Sequence, residues 1–228
     1  MGRGSSKAGG VTGGGAGGRS INVLKTTDVW SFRHRQNNEP FVDAINSAAR
    51  TLEDDFPGLM RDVGTVNAVK LGKKDSNVLG FYSRTIGTLL DSSVNINTAY
   101  TDMEKTNIGY DQAVKDGFHP SRGNKSGIEA ASLHELGHAL NDHVAAKMGL
   151  TDIMRMETAA DRIVNSARRS AGRVAGRRGI NQFRESISGY ATTNNKEAIA
   201  EAVADYYCNG RNASTASKAI MAELFKYK

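Results

Sequence analysis

Residues 196–207 read KEAIAEAVADYY and set Glu197, Glu201 and Asp205 four residues apart among Ala198, Ile199, Ala200, Ala202, Val203 and Ala204. On a helix, residues four apart stand one above another, so the three carboxylates form a stripe. A helix apolar around most of its circumference is buried. An isolated buried charge is very costly, so buried carboxylates are paired or bind a metal. Either the fold brings cations, donors or an ion to this stripe, or the helix is half exposed and the stripe is solvated. The first alternative constrains the fold more than any other feature of the chain. Among the three, Glu197 lies nearest the preceding loop.

Partners for the stripe stand about sixty residues earlier. SLHELGHALNDH, Ser132 to His143, holds three of the five histidines. His134 and His138 are four apart on a predicted amphipathic helix over residues 127–148, so both can aim a ring nitrogen at one ion. Glu135 sits off the ion but within reach of a water on it, the logic of His-Glu-x-x-His in zinc hydrolases. Such a site needs three protein ligands and one open position. His143 falls roughly opposite the pair on an ideal helix and is expected at the surface or at a cap. The long motif with a third histidine needs glycine and histidine where Asn141 and Val144 stand, so it is excluded. Glu197 is therefore assigned as the third ligand. Glu201, one turn on, is placed to accept the free ring N–H of a ligand histidine, and Asp205 is expected to be structural. Gly137 costs about 1 kcal/mol in a helix interior relative to Ala. Close approach of another backbone accounts for it, as would an ordinary packing contact.

The two motifs together resemble the gluzincin metallopeptidases related to the anthrax lethal factor catalytic domain. HELGH followed by YATTNNKEAIAEA carries the resemblance, and GFYSRT with SSVNINTAY is similar to the strand pair before the zinc helix in such domains. The resemblance covers roughly residues 78–225 and is loose outside the motifs. It implies an α+β zincin-like metallopeptidase domain with a small antiparallel sheet, an HExxH helix and a mainly helical C-terminal half. It implies zinc on His134, His138 and Glu197, Glu135 as general base, and Tyr190 as the active-site tyrosine steadying the oxyanion. It implies a zinc-dependent endopeptidase acting on a protein or peptide substrate. The stretch from Ser188 onward is also similar to metallopeptidase-like domains found with bacteriophage minor-capsid and head-morphogenesis proteins. That likeness implies a virion or head-associated protein, whose zinc site need not be proteolytic.

The rest of the 228 residues fits one domain, 20–228, behind a Gly-rich tail, 1–19, that reads as flexible. The tail lacks the Gly-Lys-Ser/Thr ending of a phosphate loop. Its start fits the short myristoylation pattern at Gly2. One cysteine, Cys208, excludes an intrachain disulfide and a Cys-rich zinc site. No signal-type or membrane-spanning apolar run is present, so a cytoplasmic or virion-associated location is expected.

The net charge is +6 and the pI about 9.4. Much of it lies on Arg162, Arg168, Arg169, Arg173, Arg177, Arg178 and Arg184, read as a solvated face or as a contact with nucleic acid or an acidic partner such as a phage structural protein.

Helices are predicted over residues 38–56, with Asn38 as cap and Pro40 in the first turn, 151–171, 195–209 and 214–227. Alternation predicts a strand pair over residues 77–87 and 92–100, joined near 89–91, with Val94 to Thr98 available to pair with an extended peptide. Ser20 to Val29 is read as a possible strand, and Met103 to Lys125 as loop.

Overall fold

A computed structural model of the chain describes residues 19–21, 32–75, 77–84, 92–150, 153–175 and 179–228. The expected Gly-rich tail before Arg19, most of the stretch to Val29 and the connection at 89–91 lie outside the described residues.

At the centre is α4, Gly127–Lys147. Its N-cap Ser126 accepts from the Glu129 N–H at 3.1 Å, and Gly149, with φ +75°, turns the chain away after its last turn. Ile128, Leu133, Leu136 and Leu140 are fully buried, and His134, Glu135 and His143 are buried on other sides. Helices α1, Phe32–Asp55, α3, Met103–Lys115, α5, Ile153–Ala175, and α7, Asn195–Asn209, all pack on α4. Short α2, Leu59–Val63, also touches it, while α8, Thr215–Leu224, closes over α5 and α7. The six-residue α6, Ile180–Glu185, leads into the loop before α7. One continuous apolar core runs from Phe41 on α1 to Leu224 on α8.

Four strands make one sheet: β1, Arg19–Ile21, β2, Thr65–Val69, β3, Gly80–Arg84, and β4, Ser92–Asn97, in the order β1-β2-β4-β3. The expected antiparallel pair is present, with Tyr82 opposite Val94. The sheet as a whole is mixed, because β2 lies parallel to β4. The short run TVNAV buries only Val66 and Ala68. A parallel neighbour leaves no hairpin turn in the sequence to announce it. β4 is flanked on both sides, so its backbone cannot receive an extended peptide. The outer strands are β1 and β3, and of the antiparallel pair β3 is the one with an open edge among the described residues.

Two helix expectations are corrected. α1 starts at Phe32, so Asn38 does not cap it and Pro40 lies inside. Proline removes one backbone bond, and Pro40 stands on an exposed side of the helix. The stretch expected as loop after Met103 contains the thirteen-residue α3. Asp102 caps it by accepting from the Lys105 N–H at 3.2 Å. Its buried face is Thr106, Tyr110 and Ala113, too small and polar to register as an apolar stripe.

The packing of α4 on α7 depends on Gly137. A Cβ there would lie 2.8 Å from Ala200 Cα and 3.2 Å from Val203 Cβ. The two helices meet backbone to backbone, the contact that glycine at this position permits. Gly109 on α3 is the opposite case, since a Cβ there meets nothing within 4 Å. Gly137→Ala should lower the free energy of unfolding by about 1–3 kcal/mol through overpacking. Gly109→Ala should raise it by about 0.4–1 kcal/mol. Urea midpoints of the two variants check both signs.

Candidate metal centre

Close approach at Gly137 sets one face of α4 against the first two turns of α7. Asn194 caps α7, its side chain accepting from the Glu197 N–H at 2.9 Å. Glu197 thus stands in the first turn, where the helix dipole favours a carboxylate. His134, His138 and Glu197 converge there, with one ligand-type atom from each within 4.8 Å of the others. Glu197 Oε2 is 3.3 Å from Nε2 of both histidines. Bonds of 2.0–2.1 Å at tetrahedral angles put neighbouring zinc ligands ~3.3 Å apart. Two imidazoles and a carboxylate at that spacing fit a metal ion. Among the described residues no fourth His, Cys, Asp or Glu joins the group, which leaves a position open.

Burial alone would raise the Glu197 carboxyl, but the charges and hydrogen bonds of His138 and His134 hold it far below the usual range. Burial would lower the pKa of His134, yet the carboxylates of Glu197 and Glu201 outweigh it and lift it well above 6.5.

Behind the ligands lies Glu201, 1% exposed. His134 Nδ1 is 2.7 Å from Glu201 Oε1, although the ring N–H is not aimed squarely at the oxygen. His119 Nδ1 is 2.9 Å from the same oxygen, and Ser188 Oγ donates to Oε2 at 2.8 Å. Burial opposes ionisation of Glu201, but His119 and His134 bring its pKa down to about 2. Neither His119 nor Ser188 carries a role in the sequence motifs, because both sit in loops outside HELGH and YATTNNKEAIAEA. Asp205, the third carboxylate, accepts from Asn209 Nδ2 at 2.8 Å and the Ser214 N–H at 2.9 Å, joining α7 to α8.

Glu135 is buried beside the two histidines. Burial pushes its carboxyl up, against the pull of His134 and His138, and the Tyr82 backbone N–H of β3 donates to it. Gly80 makes room, since a Cβ there would stand 3.0 Å from Glu135 Cγ.

Tyr190 lies in a turn tied to the loop after α3. The Gly189 N–H donates to the Gly117 carbonyl at 2.8 Å, and the Tyr190 N–H to that of Phe118 at 3.1 Å. The Tyr190 ring stacks on His134 with centroids 5.8 Å apart. Burial first, and then the carboxylates of Glu197, Glu135 and Glu201, drive its hydroxyl far above the usual phenol range, so it stays protonated.

His143 is neither at the surface nor at a cap. It is buried, with Nδ1 2.7 Å from Asp62 Oδ2 on α2. Helix geometry does keep it off the metal face, but α2 covers the side that periodicity read as open. On that side the Tyr82 hydroxyl donates to Asp142 Oδ2 at 2.9 Å, tying β3 to α4.

Of the arginine-rich segment, Arg162 and Arg169 are exposed and Arg168 and Arg184 half-buried, while the side chains of Arg173, Arg177 and Arg178 lie outside the described part. Among the described residues no helix is long and apolar enough to cross a membrane. No protein-family model, curated protein or solved structure matches the chain.

Protons and a metal ion compete for His134. Below its raised pKa the ring carries a proton that an incoming ion must displace. Zinc affinity should therefore fall as pH falls, with the decline starting above pH 6.5, the ordinary histidine value. Competition with a chelator across a pH series measures this.

Proposed function

We propose that the chain is a zinc-dependent endopeptidase of gluzincin type. The observation that carries this reading is the meeting of His134, His138 and Glu197 from two helices, with one position open and Glu135 beside it. A structural zinc site usually closes its fourth position with a protein ligand.

Zinc held by the three residues would supply a bound water with pKa near 7 and polarise a substrate carbonyl. Glu135 takes the proton of the attacking water. Burial has raised its affinity for that proton, and the Tyr82 N–H keeps the carboxylate oriented while ionised. The carbonyl carbon gains the water oxygen, and the carbon–nitrogen bond breaks as Glu135 passes the proton to the departing amine. The products are a carboxylate and an amine. The Tyr190 hydroxyl, protonated and next to the site, turns from Glu197 to donate to the oxygen on which negative charge develops. Glu201 holds His134. A peptide in extended conformation would run along β3, the outer strand beside Glu135.

Purified protein should contain one zinc per chain and cleave members of a random peptide library, with cleavage stopped by a chelator. A protein that takes up no stoichiometric zinc sinks this reading. Glu135→Ala should keep the zinc and lose about 10²–10⁴ in kcat, the usual share of general-base catalysis. Cleavage at wild-type rate by that variant would make the assignment of the base wrong. Tyr190→Phe should keep the zinc and lose about 10²–10³ in kcat, as for removal of one oxyanion donor. Single-turnover rates on a library-derived peptide give both values.

A further inference from the structure

We infer that His119, together with Ser188, is a positioning residue for the metal ligand His134, acting through the carboxylate of Glu201. This rests on the reading of His134, His138 and Glu197 as a metal site. Glu201 is buried on α7 and has two oxygens to satisfy. Contact with His134 alone would leave Oε2 bare and the carboxylate free to turn about its side-chain torsions. His119 Nδ1 reaches Oε1 at 2.9 Å and Ser188 Oγ reaches Oε2 at 2.8 Å, so both ends are held.

An ionised carboxylate only accepts, so His119 Nδ1 donates to it, and the His134 Nδ1 that lies 2.7 Å from the same oxygen carries a proton rather than a bare lone pair. Once an ion has displaced the second proton of His134, a proton kept on Nδ1 leaves the Nε2 lone pair facing the ligand site. The orientation of one ring therefore depends on the placement of one oxygen, and His119 shares that oxygen.

His119 is itself rigidly held. Its ring stacks on Tyr110 with centroids 5.3 Å apart and meets Phe118 edge-on at 4.8 Å. It precedes Pro120, which restricts its backbone to extended conformations. The loop it sits on is joined by backbone hydrogen bonds to the turn that carries Ser188 and Tyr190. Ser188 Oγ also accepts from the Ala191 N–H at 3.1 Å, which fixes the hydroxyl as a donor to Glu201. Two loops far apart in the chain thus converge on one carboxylate, and neither His119 nor Ser188 belongs to the ligand group.

The test compares His119→Phe, which keeps the ring and its stacking but has no donor, with His119→Asn, whose amide places an N–H near the position of Nδ1. Zinc affinity is measured by chelator competition, and the visible spectrum of the cobalt-substituted protein reports ligand geometry. Loss of a group that orients a metal ligand costs about 10–100-fold in affinity. His119→Phe should weaken zinc binding by about 10-fold and alter the cobalt spectrum, and His119→Asn should restore both. Wild-type affinity and spectrum in His119→Phe overturn the inference while leaving the metal site standing. Equal impairment of both variants overturns it too, since packing alone would then account for the loss. Absence of zinc binding in the wild type defeats the metal-site reading on which the inference rests. Should His119→Phe fail to fold, Ser188→Ala is read in the same way, with weakened zinc binding expected and unchanged binding decisive against the proposal.

Discussion

Buried carboxylates on α7 face buried His134 and half-buried His138 on α4, and neither set is tolerable without the other. Glu197 and Glu201 are each 1% exposed, where an unpaired charge costs several kcal/mol. His134 and His138 meet them through 2.7 and 3.3 Å contacts. Backbone contact at Gly137 makes those distances possible. The polar layer and the glycine are therefore one structural device: the glycine lets the helices close, and the charges require that they do. Removing one partner of such a buried set generally costs about 3–5 kcal/mol, because it strands the other.

Other elements serve this crossing. The Asn194 cap starts α7 about two turns before Glu201, which puts Glu197 in the first turn and Glu201 in the second, so that both glutamates reach α4. Strand β3 is fastened at two points, by the Tyr82 hydroxyl to Asp142 and by the Tyr82 N–H to Glu135. Glu135 is held in turn by β3 and given space by Gly80. The loop of Tyr190 is joined by two backbone hydrogen bonds to the loop of His119. Four separate stretches of chain thus deliver side chains to one small volume. Burial makes each electrostatic contact there stronger than it would be in water.

What was legible in the sequence was periodic or local. The i,i+4 spacing of His134 and His138, and of Glu197 and Glu201, placed each pair on one helical face. The Ser214 cap, the choice of Asn194 or Asn195 for the cap of α7 and the stops at Gly149 and Gly210 were readable because capping chemistry is local. Misreadings arose where a distant element decided the outcome. α3 was hidden because its buried face is Thr106, Tyr110 and Ala113, which becomes apolar enough only against α4. His143 faced outward by periodicity, but α2 covers that side. β4 looked available to a peptide until β2 took one edge and β3 the other. His119 carried no signal beyond being an unassigned histidine, because its partner Glu201 is 82 residues away.

The sequence by itself determined α1, α4, α5, α7 and α8, though not α2, α3 or α6, and the identity of the three ligand-type side chains, because these follow from repeats of three to four residues and from the chemistry of each residue type. Gly137 could be read as a possible close approach, but not against which helix. Only the tertiary structure decided that α7 is that helix, that His134, His138 and Glu197 share one space, and that His119 and Ser188 hold the carboxylate behind them. The reason is physical: a side chain's partners across a fold depend on how helices and strands pack as bodies, and packing is a property of whole surfaces that no short window of residues contains.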